Sequence, residues 1–326
     1  MADIHGRCAE RFEGVRAALE RNLDSGEELG ASLVLDIDGD IVVDMWGGHC
    51  DEARAVPWAE HTITNVWSST KTVTSLAVLM LVDRGELDVD APVARYWPEF
   101  AAAGKQDILV RQVMSYSSGV SGLDQPAVAE EIAGPLGADF QIGAAERDWE
   151  RVAPVVPPPP LPIDLAALDP TSPAVRTMTG PFVEAGVANT PGWRRADIGA
   201  ANGHGNARSV ARVMSVVARG GEVDGVRLLG QDSIDLIFRE QQNGIDLVLG
   251  VPLRLGIGYG LPRRDVLPWA PDEKICFWGG WGGSVIIMDL GRRMTISYMM
   301  NKMAPGIIGS DRSEQYVRAI YDVVDG

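Results

Sequence analysis

A serine and a lysine three residues apart are the residues of this sequence best suited to chemistry. Ser68 and Lys71 belong to the tetrapeptide Ser-Ser-Thr-Lys, and in a helix they would lie one turn apart on one face. A serine hydroxyl is a weak nucleophile until a base removes its proton, and a lysine partly shielded from water can be neutral enough to act as that base. The pair therefore predicts nucleophilic catalysis. An N-cap serine followed by a solvated lysine fits the same residues.

The residues around this pair predict a strand, a turn and a helix. Residues 62–67 form a short β-rich run, and apolar residues then recur with helical spacing from Thr70 to Arg84, before Gly85. This order places Ser68 at the N-terminus of the helix, where the helix dipole favours a developing alkoxide.

Both ends of the chain predict helices and antiparallel strands. An apolar stripe between Ile4 and Leu19 predicts an opening amphipathic helix, and residues 316–324 predict a closing one. Five β-rich runs predict strands, at 32–37, 41–46, 274–278, 284–289 and 294–300. The expected fold class is α/β (α+β), with an antiparallel sheet built from both chain ends and flanked by helices.

The middle of the chain predicts a second unit. Residues 1–66 and 245–326 are assigned to the sheet domain, and residues 67–244 to a helical, loop-rich lobe that carries the nucleophile helix. Within this lobe, residues 152–162 contain four consecutive prolines, which exclude a helix or a central strand. An ordered, extended surface crossing is expected there, with a recognition motif for a partner as the alternative.

Several longer phrases in the chain resemble one family. They are ITNVWSSTKTVTSLAVLMLVDRGELDVDAPVARYWPEF, LVRQVMSYSSGVSG, ANGHGNARSVARVMSVVARGGEVDGVRLL and FWGGWGGS. In this order they are similar to the serine β-lactamases and penicillin-binding enzymes, specifically to their class C-like esterase relatives, the family VIII carboxylesterases. The resemblance runs from about residue 30 to the C-terminal strands. It implies a β-lactamase-like fold with a reduced helical lobe.

The resemblance also implies roles for individual residues. Ser68 would be the nucleophile that accepts the acyl group, and Lys71 its partner in proton transfer. Trp278, Gly279 and Gly280 match the third motif, which is K-T-G in β-lactamases and often W-G-G in these esterases. The backbone N–H of Ser68 and one from the residues just after Trp278 would form the oxyanion hole. A tight turn is the alternative explanation for the glycines.

The family's second motif, Tyr-x-Asn or a similar triplet, has no counterpart at the expected place. It should follow Tyr116 by some tens of residues, but the chain after Pro126 runs directly into a segment, 131–140, that resembles a later part of the family. The middle segment is therefore expected to be missing. Three explanations stay open: a natural or engineered deletion, residues absent from the printed sequence, or another tyrosine in the role. Tyr116 is the nearest substitute, and a substrate-lining or core aromatic is its alternative.

Composition and the remaining polar residues exclude other classes of protein. A net charge of -16 disfavours binding to nucleic acid and to anionic membranes. The four histidines are scattered without metal-ligand spacing, so neither a metal nor a cofactor is expected. His204, which lies between glycines, fits a loop-pinning role better than the base of a Ser-His-Asp triad. Three widely spaced cysteines and a charged N-terminal segment predict a cytoplasmic protein.

The sequence thus predicts a serine hydrolase, a carboxylesterase that cleaves small carboxylic esters through an acyl-enzyme on Ser68. Trp278 stands where β-lactamases have a lysine, so neutral esters suit the site better than carboxylate substrates. Weak β-lactamase or D-amino-acid peptidase activity is the alternative within the enzyme class. A non-catalytic binding protein is the alternative if the tyrosine segment is absent. The expected partner is a small-molecule ester, and an apolar face left by a missing lobe would favour a homo-oligomer.

Overall fold

A six-stranded antiparallel sheet lies at the centre of the fold. The computed structural model describes residues 3–116, 128–159, 169–178 and 184–326. The strands in these residues are β1 (Ile4–Cys8), β2 (Gly30–Ile37), β3 (Asp40–Gly48), β4 (Thr64–Asn65), β5 (Gln141–Ile142), β6 (Gly203–Gly205), β7 (Glu222–Val223), β8 (Val226–Arg227), β9 (Gln242–Ile245), β10 (Pro252–Leu255), β11 (Ile275–Gly279), β12 (Val285–Asp289) and β13 (Met294–Met300). The order in the main sheet is β1-β3-β2-β13-β12-β11, so strands from both chain ends form it, as the sequence predicted.

Helices cover both faces of this sheet. They are α1 (Glu13–Ser25), α2 (Thr70–Asp83), α3 (Val110–Met114), α4 (Gly134–Leu136), α5 (Pro173–Met178), α6 (Pro191–Arg195), α7 (Ala207–Ala218), α8 (Gln231–Ile237) and α9 (Asp311–Val324). The two terminal helices, α1 and α9, pack on one face, where Leu19 and Tyr316 are fully buried. Helices α2 and α7 lie on the other face. Because both faces are covered, almost every residue of β2, β12 and β13 is buried.

Turn chemistry sets the register of the first hairpin. Asp38 and Gly39 take positive φ angles of 53° and 96°, and the Gly39 N–H donates to the Asp36 carboxylate at 2.8 Å. This tight turn joins β2 to β3, where Ile37 pairs with Asp40. The predicted hairpin and the three predicted C-terminal strands are confirmed to within a few residues.

The predicted opening helix is wrong in its first half. Ile4–Cys8 is the edge strand β1, antiparallel to β3, and α1 begins only at Glu13. Gly6 has a φ of 91°, and a Cβ there would collide with the Asp44 carbonyl on β3. The spacing of Ile4 and Cys8 matched a helix by coincidence, because both of their side chains also lie on one face of a strand.

The proline-rich segment is extended over its described part, residues 152–159. Val156 forms a parallel bridge to Lys302, and Val152 forms another to Ile63, so the segment follows the edge of the fold. Residues 160–162 of the predicted crossing lie outside the described residues. The predicted division at residues 66 and 244 stays a prediction, although α7 from the middle part packs directly on β2 and β13. Among the described helices, none has the length and hydropathy needed to cross a membrane.

Candidate active site

Ser68 lies in a tight turn between strand β4 and helix α2. The turn is the 3₁₀ segment Trp67–Ser69, and Trp67 has a φ of 47°, a left-handed conformation that is rare for a bulky residue. Hydrogen bonds to β6 hold it: the Val66 N–H donates to the Gly203 carbonyl, and the Gly203 N–H donates to Thr70 Oγ1, both at 2.8 Å. A strained backbone held in this way fixes where Ser68 projects.

The structure brings Ser68 and Lys71 together as the sequence predicted. Lys71 Nζ donates to Ser68 Oγ at 2.8 Å and to the Ala200 carbonyl at 2.6 Å. Burial lowers the pKa of Lys71 from 10.5 to about 8, because desolvation disfavours the ammonium form. About one molecule in ten therefore carries the neutral amine at pH 7. Its lone pair can accept the Ser68 proton at this distance.

The loop that precedes β6 supplies acceptors for two side chains of α2. Thr74 Oγ1 donates to the Gly199 carbonyl at 2.6 Å, one helical turn beyond the Lys71 contact with Ala200. The sequence analysis missed Ala200. Main-chain carbonyls have no residue-specific signal, so only the close approach of this loop to α2 reveals the contact.

The W-G-G motif lies at the end of strand β11, directly against the turn that carries Ser68. A Cβ on Gly280 would come within 2.5 Å of the Val66 carbonyl and 3.3 Å of Ser69 Oγ, so only glycine allows this approach. The Gly280 N–H donates to the Ser284 carbonyl, and the Gly282 N–H donates to Gly306. Within the described residues, the N–H of Trp281 between them donates to no acceptor, and neither does that of Ser68. Trp281 is a residue that the motif match did not include.

Tyr116 lies at the site, but its hydroxyl points elsewhere. Its ring stacks on Trp278 at a centroid distance of 4.9 Å, and Lys71 Nζ lies 6.0 Å from the ring centroid. The hydroxyl donates to the Gly258 carbonyl at 3.5 Å and makes no hydrogen bond to Ser68 or Lys71. Burial raises the pKa of Tyr116 above its usual value. The stretch at 117–127, where the shortened connection is predicted, lies outside the described residues.

His204 is buried on β6, and within the described residues no hydrogen bond joins it to Ser68. Its Nδ1 lies 2.8 Å from the Asn202 carbonyl, and burial lowers the pKa of the ring to about 4. In this strand His204 pairs with Asn65 and Gln141. The contacts therefore support the loop-pinning role over the role of a base for Ser68.

Three tryptophans form an apolar wall beside Ser68. The ring of Trp67 packs on that of Trp193 at 5.5 Å and on that of Trp281 at 5.2 Å. Met303 and Val155 belong to the same buried cluster. Trp67 directly precedes Ser68, so this cluster adjoins the turn that carries the hydroxyl. In the described parts of the chain, no group of His, Cys, Asp and Glu side chains is placed to hold a metal ion.

Comparison of the amino-acid sequence with protein families gives one clear match. The sequence model of the Beta-lactamase family matches in two segments, residues 15–133 and 126–315. The segments overlap where the shortened connection is predicted. Esterase/beta-lactamase LipL of Mycobacterium tuberculosis is 29% identical over 377 positions, covering 95% of this chain and 86% of LipL. Esterase EstB of Burkholderia gladioli is 35% identical over 118 residues, covering 34% of this chain and 29% of EstB.

Solved structures show the same relationship. A family VIII carboxylesterase superimposes with a TM-score of 0.88 at 31% identity, covering 98% of this chain and all of the other. A penicillin-binding protein homologue from Caulobacter crescentus gives the same values. A class C beta lactamase from Rhodobacter sphaeroides, with a TM-score of 0.64 at 14% identity over 97% of this chain and 99% of its own, shares the fold. The family match extends over most of the chain, and this protein belongs to the Beta-lactamase family.

Proposed function

We propose that this protein is a carboxylesterase that cleaves small neutral esters through an acyl-enzyme on Ser68. The observation that carries the proposal is the 2.8 Å contact between Ser68 Oγ and the Nζ of a largely buried lysine. A nucleophile bonded to a base that a third group orients is the usual arrangement of serine catalysis, and the Ala200 carbonyl is the third group here. Esterases among the relatives support the same reaction class.

In acylation, neutral Lys71 takes the proton of the Ser68 hydroxyl as Oγ attacks the carbonyl carbon of the ester. The carbonyl π electrons move onto oxygen and form a tetrahedral intermediate. This intermediate collapses as the carbon–oxygen bond to the alcohol breaks, and the Lys71 ammonium returns the proton to the departing alkoxide. In deacylation, water gives its proton to Lys71, attacks the acyl carbon, and Ser68 leaves with that proton.

The negative oxygen of each tetrahedral intermediate requires preorganised donors. The N–H groups of Ser68 and Trp281 are unused within the described residues, and the close contact of Gly280 with the nucleophile turn brings their two segments together. We assign the oxyanion hole to this pair. Such donors contribute about 10²- to 10³-fold each to the rate in serine hydrolases. Gly279 and Gly280 would then contribute by allowing the end of β11 to approach the turn that carries Ser68.

The surroundings of Ser68 favour a neutral, partly apolar substrate. Trp278 occupies the motif position that carries a lysine in β-lactamases, so the site lacks that cation for a substrate carboxylate. Trp281, the half-buried member of the cluster with Trp67 and Trp193, would offer apolar surface to one arm of the ester. The net charge of -16 also disfavours anionic substrates.

Covalent labelling tests the proposal directly. The purified protein is incubated with an alkyl fluorophosphonate, which phosphonylates activated serines, and its intact mass is measured. We expect one adduct on the wild type, none on Ser68→Ala, and one on the matched control Ser69→Ala. Ser69 is the buried neighbour, and its hydroxyl faces Ser284.

The same experiment can refute the proposal. No adduct on folded wild type would mean that Ser68 is not activated, and the protein would then be a binding protein with this fold. An adduct that persists in Ser68→Ala would place the reactive group elsewhere. Turnover of p-nitrophenyl acetate by the wild type, lost in Ser68→Ala, completes the test of hydrolysis.

A further inference from the structure

The loop that holds Lys71 is itself organised by one buried side chain. This loop, taken as residues 193–202, includes the last residues of α6 and leads to β6, and it presents the Gly199 and Ala200 carbonyls to α2. Asn202 at its end is fully buried. We infer that Asn202 is a positioning residue, which holds the Ala200 carbonyl against Lys71 so that the amine stays oriented toward Ser68. The inference rests on the proposed role of Lys71 as the base.

The Asn202 amide forms hydrogen bonds with both of its ends. Its Nδ2 donates to the Trp193 carbonyl at 3.0 Å and to the Ala196 carbonyl at 2.5 Å. Its Oδ1 accepts from the Ile198 N–H at 3.0 Å and from the Gly143 N–H at 3.3 Å. Three of these four partners belong to the loop, so the side chain replaces the regular main-chain pairing that the loop lacks.

The main chain of Asn202 closes the loop from the other side. Its N–H donates to the Ile198 carbonyl at 3.1 Å, and so does that of Ala201 at 2.9 Å. Its carbonyl accepts from the Gly143 N–H at 3.1 Å and contacts His204 Nδ1. Gly199 and Ala200 therefore lie within a turn whose two ends are both fixed by Asn202. Their own carbonyls remain free to accept from Thr74 and Lys71.

The orientation of Lys71 depends on the Ala200 carbonyl. A lysine amine rotates freely about its last bond, so a contact with Ser68 does not by itself fix where the lone pair points. When the Ala200 carbonyl accepts one N–H, the rotation is restricted, and the lone pair of the neutral amine can face the Ser68 hydroxyl. Loss of the Asn202 side chain would leave the Ile198 N–H and the Ala196 carbonyl without the partners they have in the described residues. The loop would then rearrange or admit water to satisfy these two groups.

Water that enters the loop beside Lys71 would raise the pKa of its amine. Desolvation is the cause of the lowered pKa. Of the titratable groups in the described residues, Tyr116 makes contact with Lys71, through its ring. No carboxylate in those residues forms an ion pair with Lys71 that could offset the change. Hydration is therefore expected to raise the pKa of Lys71 toward 10.5.

A lysine-specific measurement tests this without relying on turnover. The chain has four lysines, Lys71, Lys105, Lys274 and Lys302, so a protein labelled with ¹³C at the lysine Cε gives four resolvable NMR signals. Lys71→Arg assigns the signal of interest. The signal is followed from pH 6 to pH 11 in wild type, Asn202→Ala and the control Asn206→Ala.

Asn206 is a matched control in the same segment. It is also a buried asparagine, but it caps α7, where its Oδ1 accepts from the Ser209 N–H and its Nδ2 donates to the Thr62 carbonyl. It makes no hydrogen bond to residues 193–202. If Asn202→Ala does not fold, Asn202→Ser replaces it, since the serine hydroxyl can retain part of the hydrogen bonding.

We expect the pKa of Lys71 to rise by about one unit in the Asn202 variant and to stay unchanged in Asn206→Ala. The rate of phosphonylation of Ser68 at pH 7 should fall about tenfold, as one pKa unit corresponds to a tenfold change. An unchanged or lowered Lys71 pKa in the Asn202 variant, or an equal rise in Asn206→Ala, would overturn the inference. Absence of phosphonylation in the wild type would instead refute the proposed function, while the NMR titration still decides the role of Asn202.

Discussion

Under the proposed mechanism, the pKa of Lys71 decides whether Ser68 can react near neutral pH. Burial lowers the pKa to about 8, so the amine carries a proton on most molecules at pH 7 and on few at pH 9. An ammonium has no lone pair and cannot take the Ser68 proton. The same burial that makes the lysine a base therefore also imposes a pH threshold on the reaction.

This threshold is directly measurable. The rate of phosphonylation of Ser68 is expected to rise about tenfold per pH unit below pH 8 and to level off above it, because only the neutral amine acts. Intact-mass kinetics from pH 5.5 to pH 10 measure the rate, with Ser68→Ala correcting for reaction at other groups. A rate independent of pH across this range would exclude Lys71 as the base.

At the scale of elements, the site is a contact between the end of β11 and the turn before α2. Gly280 approaches the turn closely, since a Cβ there would lie 2.5 Å from the Val66 carbonyl oxygen. The strand end and the turn each carry one of the two N–H groups assigned to the oxyanion hole. Their separation is therefore expected to control the stabilisation of the tetrahedral intermediate.

Gly280→Ala tests this contact between elements. The added methyl group would push β11 away from the turn, so phosphonylation of Ser68 should fall by about 10²-fold or more. Overpacking should cost about 1–3 kcal/mol of stability. Gly244→Ala on β9 is the control, because a Cβ there meets no atom within 4 Å. Unchanged labelling of folded Gly280→Ala would show that the spacing is not required.

At the scale of the molecule, a buried ion pair joins the two chain ends that build the sheet. Arg312 on α9 donates to Glu28 Oε1 at 2.6 Å, next to the start of β2. Glu28 is fully buried and also accepts from the hydroxyls of Tyr298 and Tyr316. Each charge depends on its partner, because neither can be solvated in place.

Removing one partner of this buried ion pair should therefore lower the free energy of unfolding strongly. Arg312→Met is expected to lower the free energy of unfolding by about 3–5 kcal/mol, because it leaves the Glu28 carboxylate buried and unpaired. Urea unfolding at pH 7 measures the loss. The control is Arg318→Met, which breaks an exposed pair with Glu314 and should cost less than about 1 kcal/mol. Equal losses in the two variants would contradict the assignment.

Most of the fold could be predicted from the sequence, because local patterns specify it. The β2–β3 hairpin follows from a turn that needs Gly39, and α2, α7 and α9 follow from their apolar stripes. The edge strand β1 could not be predicted. Five residues with a glycine in the middle become a strand only where β3 is available to pair with them.

The candidate site, like the fold, could be predicted from the sequence only in part. The sequence by itself determined that Ser68 and Lys71 meet, because the helical repeat fixes the geometry of residues three apart, and the W-G-G pattern marked the strand end. The tertiary structure decided which main-chain groups are available to them. These are the Ala200 carbonyl, 129 residues from Lys71 along the chain, and, under the proposed mechanism, the Trp281 N–H, which donates to no acceptor in the described residues. It also turned the Tyr116 hydroxyl toward Gly258. Main-chain groups are the same in every residue, so only the folded chain can assign them a partner.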